Sequence, residues 1–405
     1  MNPIIRRLVA LIGGWLLCLG LATTPGGAAP SGPPVRVGGT LALTGPLAAT
    51  SILHKLAGEI YIEQQNRGNG LSGRPVEWVL LDDQSKPDVA RSLYERLITV
   101  EKVDLLMGPY GTAAILAALP VAQRYQKMLI STTLGIPHLA KYAMHIPVNS
   151  FGPDPDKTAP ARLYDALAST SRPPKTIAIV TSKFPSAQFI STGARDVAGA
   201  RSLNVVLYLE YEFGTRDFMP IATRLKESNP DFLWVGALGL DGNLLLDAFK
   251  KLDYTPRGHY YLFPAPGPLV ATPEAKFALA PTHFEEHAPF TDNPVAAEFV
   301  KLFNERAGKA KVPYPRVELQ AAGGYIGWQA LGIAVEATKS LDDKVLVNWF
   351  KTHRVETIVG TMRFDGPNNY GEDLSKVKQI QDGRWVVVWP REWAAPGARL
   401  LLPGP

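Results

Sequence analysis

The sequence predicts an α/β protein built as two lobes, each a parallel β-sheet covered on both faces by helices. Three observations lead there. Short, nearly continuous apolar runs recur from Val35 onward, as strands buried on both faces require. Amphipathic stretches with apolar residues at helical spacing lie between them. The alternation runs through two blocks, about 35–148 and 175–263, joined by the proline-rich segments HIPVNSFGPDPD and TSRPPKT.

VRVGGTLAL reads as the first strand, followed by a helical pattern around Ile52 to Gln65. VEWVLLDD is a second strand. The helix after it, KPDVARSLYERLITVE, has Pro87 where a first turn tolerates it and Val89, Leu93 and Leu97 at four-residue spacing. VDLLMG and MLIST are further strands around a helical run from Ala113 to Gln126. In the second block KTIAIVTS, VVLYLEYEF and DFLWVG are strands, and Ala187 to Ala200 and Asp217 to Glu227 are helices. A third helix there puts Leu244, Leu245, Ala248, Phe249 and Leu252 on one face. A more helical portion follows: Pro294 to Arg306, Val317 to Ala337 and Leu341 to His353. KVKQIQDGRWVVVWP then reads as a hairpin, two β-rich runs about Asp382-Gly383.

A chain of 405 residues, 46% apolar and 20% charged, is long enough for two or three domains and a sizeable core. Arg6 and Arg7 precede an apolar run from Leu8 to Ala22 and a small-residue stretch, TTPGGAAPSGPP, the parts of a secretory signal. Residues 1–28 are therefore read as a signal peptide, with cleavage fitting after Ala22 or Ala28. That run is short for a spanning helix, and a second of membrane length is absent. Cys18, the single cysteine, falls inside the signal, and the WLL before it lacks the small residue a lipid-attachment site requires. The mature chain is expected to carry no thiol, disulfide or lipid anchor, which a protein of this size does not need. Loss of the two signal arginines lowers the formal charge from +5 to +3, and no Lys/Arg block occurs. A nucleic-acid partner is not expected from that balance.

Ligands of open parallel sheets sit beyond the carboxyl ends of the strands. GPYGT and STTLG occupy that place in the first block, SKFPSA and GALGLDG in the second, so a cleft between two lobes is expected. No GxGxxG or GxxxxGK[ST] follows a strand, which removes the usual nucleotide grips. The absence of GxSxG removes the nucleophile elbow. HFEEH, His283 to His287, formally fits the H-x-x-E-H zinc pattern, but Pro281 and Pro289 leave under two turns of helix and no third ligand is evident. A short strand or connector with exposed histidines is expected there. No metal, no cofactor and no catalytic residue is assigned. GPYGT and STTLG also fit plain strand-to-helix turns, where Gly relaxes the backbone and Thr caps. Because they follow successive strands, their amides and hydroxyls can together accept a carboxylate without any lysine.

The segments VGGTLALTGPLAAT, GNGLSGRPVEWVLLDDQSKPDVARSLYERLI, VDLLMGPYGTAA, MLISTTLG, YEFGTRDFMPIATRLKESNPDFLWVGA, GYIGWQALGIAVEA, TIVGTMRFDGPNNYGED and VKQIQDGRWVVVWP span almost the whole mature chain. In that order they resemble the type I periplasmic binding proteins of the branched-chain amino acid (Leu/Ile/Val-binding) group, which serve ABC transporters. The resemblance implies two Rossmann-like lobes joined by three hinge crossings, with the ligand cleft between them. Lobe one falls at 35–148 plus 288–372 and lobe two at 149–287 plus 373–405. It further implies no reaction, a small-molecule ligand, membrane permease subunits as partners, a monomer, and a periplasmic location.

Carried over residue by residue, the resemblance puts the ligand carboxylate on two turns. Tyr110, Gly111 and Thr112 form the first; Thr133, Leu134 and Gly135 form the second, with Gly135 in place of a hydroxyl residue. Thr50 and Gln320 stand where rings would line the cleft, Leu238 replaces another ring, and Phe184 is nearest to a missing Tyr-Gly. In amino-acid-binding members an acid meets the ligand ammonium; here that position holds Ala265. A buried ammonium without a partner is costly. The expected ligand is therefore a small aromatic or branched aliphatic acid, or a related amide, walled by Tyr110, Leu134, Leu238 and Phe263. Branched-chain amino acids are the alternative, with Asp241, Glu285 or Glu318 as the acid if the matching slips by a residue or two. A ligand sensor for a membrane receptor would use the same cleft, and a secreted hydrolase would use His283 and His287.

Overall fold

The computed structural model describes residues 29–133, 135–148 and 151–402, so the signal peptide and Leu134 lie outside the described residues. Five parallel strands make the first sheet: β1 (Val35–Leu41), β2 (Val76–Asp82), β3 (Leu105–Met107), β4 (Leu129–Ser131) and β5 (His145–Pro147). Their order is β2-β1-β3-β4-β5, the reversal a doubly wound sheet makes beside its first strand. Helices α1 (Ala48–Arg67), α2 (Pro87–Thr99) and α3 (Thr112–Arg124) connect the first four strands. β3 and β4 are buried at every position, which is why they read as bare apolar runs.

After β5 the chain crosses to helix α4 (Pro155–Ala168) and a second sheet. Strands β6 (Thr176–Ser182), β7 (Asn204–Tyr211), β8 (Phe232–Gly239), β9 (His259–Pro264) and β10 (Leu279–Thr282) are parallel there. Helices α5 (Pro185–Ala200), α6 (Met219–Ser228), α7 (Asp241–Lys251) and α8 (Pro266–Val270) link them. A second crossing leads to α9 (Pro294–Lys309), α10 (Leu319–Thr338) and α11 (Asp343–Thr352). α9 and α10 pack on α1, so this portion completes the first lobe. After the small hairpin β11 (Val355–Thr357) and β12 (Gly360–Met362) the chain crosses a third time. It ends as the hairpin β13 (Lys376–Gln381) and β14 (Arg384–Trp389), which adds antiparallel beside β10. Asp382 and Gly383 both have positive φ, as a two-residue hairpin turn requires.

The second sheet runs β14-β13-β10-β9-β8-β6-β7. β8, the middle one of its five parallel strands, is buried throughout and divides two apolar clusters, one under α4 and α5, the other under α6 and α7. The first lobe has its own core, where α10, apolar all round and almost wholly buried, lies along α1. Two of the crossings touch, through a β-bridge between Phe151 and Asp373.

The proline-rich segments were expected to be connectors only; β5 and α4 are found there instead. Pro155 occupies the first turn of α4, where its fixed φ and missing N–H cost nothing. β5 ends in Pro147 at the sheet's edge, the place a strand tolerates proline. Among the described residues no helix is long and apolar enough to cross a membrane.

Candidate functional site

A cavity of about 40 Å³ lies between the carboxyl ends of the two sheets. The first lobe lines it with Tyr110, Gly111 and Thr112 after β3, Thr132 and Thr133 after β4, and Val148 after β5. His54 on α1 and Leu319, Gln320, Gly323 and Ile326 on α10 complete that side. The second lobe answers with Phe184 and Ser186 after β6, Leu238 in β8, Phe263 in β9 and His283 after β10. A wider groove of about 1010 Å³ runs beneath the C-terminal segment, between Ser169–Lys175 and Ala394–Leu402, away from these strand ends.

Backbone geometry locks the two first-lobe turns together. Gly111 has φ +93°, a conformation L side chains rarely adopt, and it starts α3 without a side-chain cap. Its N–H donates to Thr133 Oγ1 (2.9 Å), and the Gly135 N–H donates to Thr112 Oγ1 (3.2 Å). Two amides expected to be free are therefore already answered by threonine hydroxyls. A hydroxyl that accepts from an amide still has its own proton to donate, and is polarised to do so. Thr112 spends its proton on a long bond to the Thr133 carbonyl (3.4 Å), so Thr133 offers the backed O–H donor and Thr112 one that a better acceptor could draw away. Gly135 also meets the other lobe: a Cβ there would lie 2.8 Å from the Ser186 Cβ.

Among the described residues no Asp, Glu, Lys or Arg lines the cavity. The N-termini of α3, α5 and α10 reach its wall, and their partial positive charge favours an anion. At α10 that field is offset by Glu318, whose side chain caps the helix by accepting from the Gln320 N–H (2.7 Å). His54 hydrogen-bonds Gln320 Oε1 through Nε2 (3.1 Å) and lies against the Tyr110 ring at 4.9 Å. Burial holds its pKa down to about 4, against the pull of Gln320, so the ring is neutral. Phe151, from the first crossing, sets its ring 5.7 Å from Phe263 and 4.4 Å from His283. Phe184 packs on Phe213 at 5.0 Å. The result is a small, largely apolar cavity with hydroxyl donors at one end.

The family model described as periplasmic binding protein matches residues 34–384. The chain belongs to that family. This periplasmic binding protein is similar, at 24% identity over 416 residues, to the Leu/Ile/Val-binding protein homolog 7 of Brucella abortus (strain 2308), covering 95% of this chain and 98% of the relative. In fold it is similar to a leucine binding protein of Thermotoga maritima, with TM-score 0.74 and 21% identity over 87% of this chain and 97% of that one. It is equally similar in fold to an ABC transporter solute binding protein of R. palustris solved with benzoate: TM-score 0.74, 19% identity, 91% and 99% covered.

Of the residues singled out from sequence, Tyr110, Gly111, Thr112, Thr133, Phe184, Leu238, Phe263 and Gln320 are brought together around the periplasmic binding protein's cavity. Gly135 contributes its amide to Thr112, as above. Thr50 stands one layer back: its hydroxyl donates to the Leu47 carbonyl (3.0 Å) and partners the Tyr110 phenol. Ala265 is buried at the start of α8. The three alternative acids are engaged elsewhere. Tyr211 O–H donates to Asp241 (2.9 Å), whose carboxyl burial pushes up to about 6. Glu285 and Glu318 both pair with Lys378, at 2.9 and 3.2 Å, with all three side chains almost fully buried.

Sequence reasoning missed His54, Phe151, Ser186 and His283. Ser186 lay within SKFPSA, already placed at a strand end; His54 lies one turn beyond Thr50 on α1 and carried no signal of its own. HFEEH needs correcting. His283 is not exposed but 4% accessible, and His287 is half-buried, its Nδ1 donating to the Ala288 carbonyl and its Nε2 accepting from the Val387 N–H. No helix forms there, so the two rings never share a face.

Proposed function

We propose that this chain is the substrate-binding component of an ABC transporter, capturing a small carboxylate-bearing ligand between its lobes. The favoured cargo is an aromatic or branched aliphatic acid, or a related amide. One observation carries this: the cavity joins hydroxyl donors and open helix N-termini to aromatic walls, with no formal charge of either sign. A zwitterionic amino acid would bring an ammonium with no carboxylate to meet it, at a cost of several kcal/mol. The R. palustris neighbour solved with benzoate supports the aromatic reading; the Brucella relative's name supports branched-chain amino acids as the second one.

In this reading Thr112 and Thr133 hold the carboxylate beside Tyr110 and Gly111, with Gly135 in the second turn. Phe184, Leu238 and Phe263 wall the ring, Gln320 faces it from α10, and Thr50 supports Tyr110. The lobes, 35–148 plus 288–372 and 149–287 plus 373–405, hinge at the three crossings. A ligand that touches both shifts the population toward the closed form, which permease subunits of the membrane transporter would read. Capture and release occur without turnover, in the periplasm, by a monomer exported on its signal peptide. A thermal-shift panel of benzoates, keto acids, leucine, isoleucine and valine tests the cargo. Stabilisation by the acids with leucine silent is the expected result; stabilisation by leucine alone sinks it.

A further inference from the structure

The cavity has two ends, and the strand order says which residues stand at each. On the first sheet it is reached in turn from β3 (Gly111, Thr112), β4 (Thr133) and β5 (Val148). On the second it is reached from β6 (Phe184), β8 (Leu238), β9 (Phe263) and β10 (His283). The sheets face each other in that sense: a Cβ on Gly111 would lie 3.6 Å from the Phe184 ring, while Phe151, past β5, packs on Phe263 and His283. β3 and β5 are two strands apart, about 10 Å, and β6 and β10 three strands apart, about 14 Å. His283 thus closes the end remote from the threonine hydroxyls.

His283 is 4% accessible, and its Nε2 is buried without a hydrogen-bond partner in the protein. A buried polar atom that meets nothing is costly, so a group that answers it is favoured there. Burial, reinforced by Lys376, Arg162 and Lys378, holds its pKa well below the ordinary histidine range, so the ring is neutral. A hydroxyl suits such a nitrogen in either tautomer, since it both donates and accepts.

Resting on the aromatic-acid reading above, we propose that His283 is a specificity-determining contact for a hydroxyl on the ligand's far end, so that ring-hydroxylated aromatic acids are taken in preference to bare ones. Titration calorimetry with benzoate, 4-methylbenzoate and 4-hydroxybenzoate tests it. The wild-type protein should bind 4-hydroxybenzoate roughly tenfold more tightly than the other two. His283→Phe, which keeps a ring against Phe151, should bring 4-hydroxybenzoate down to the affinity of 4-methylbenzoate, while His283→Gln should retain part of the preference. Equal wild-type affinity for 4-methylbenzoate and 4-hydroxybenzoate overturns the proposal without needing a folded variant. A preference surviving in His283→Phe overturns it too. Benzoate binding without discrimination sinks only the role of His283; binding of none of the three acids sinks the aromatic-acid reading with it.

Discussion

The cavity and the cluster around Lys378 are built from the same two short segments and are electrostatic opposites. His283 and Glu285 stand next but one in the chain, as do Glu318 and Gln320. His283 and Gln320 line the cavity; Glu285 and Glu318 turn the other way and converge on Lys378 of β13. One region is buried, largely apolar and neutral. The other is buried and carries three ionisable groups of both signs. Burial opposes the charge of Lys378, yet its two carboxylates hold the ammonium above the ordinary lysine range. Burial also pushes the Glu285 carboxyl up, against the pull of Lys378. The lesson is that acids adjacent to a site in sequence are not thereby available to a ligand. Here they are consumed by a lysine, which is what leaves the cavity without negative charge.

Lys378→Met breaks the comparison from the charged side and should have the largest effect. It leaves two carboxylates facing each other without a cation, and the folded state should lose roughly 3–5 kcal/mol. Urea unfolding at pH 8 measures it, and the loss should shrink at pH 5, where Glu285 can take a proton. An unchanged midpoint would show that the cluster does not hold the fold.

Acid probes the neutral side. Burial holds His54 and His259 down to about 4, His145 to about 3, and His283 well below the ordinary value of 6.5. These rings stay neutral when folded but protonate near pH 6.5 when unfolded. Their contribution is therefore fully present above pH 6.5 and is lost as pH falls through the folded values. For His54 that amounts to on the order of 3 kcal/mol. Asp241, raised to about 6, and Glu285, raised to about 7, act in the opposite sense and offset part of the loss. The melting temperature should fall from pH 7 to pH 4, and a flat profile would contradict the neutral-ring account.

Thr112→Ala sharpens the comparison within the cavity. It removes one hydroxyl donor and leaves the Gly135 amide without its acceptor, so affinity for a benzoate ligand should fall by roughly 1–3 kcal/mol. Calorimetry at constant pH decides; unchanged affinity removes Thr112 from the site.

Most of the fold was legible in the sequence because strand and helix periods are local. Fully buried strands such as β8 and amphipathic helices such as α7 declare themselves within a dozen residues. α4 and β5 were not, since Pro147, Pro155 and Pro160 speak for loops until an edge position and a first turn accommodate the first two. The turns carrying Thr112 and Thr133 were legible for the same reason as the strands: they must lie beyond the strand ends that precede them.

The sequence by itself determined the two parallel sheets and the hydroxyl-bearing turns at their carboxyl ends, because hydrogen-bonded period and glycine-dependent turns are properties of short segments. Only the tertiary structure decided that a histidine from the second crossing faces the cavity while the glutamate two places on does not. That choice depends on which distant partner, Phe151 or Lys378, each side chain meets, and no local pattern encodes a contact made across a hundred residues of chain.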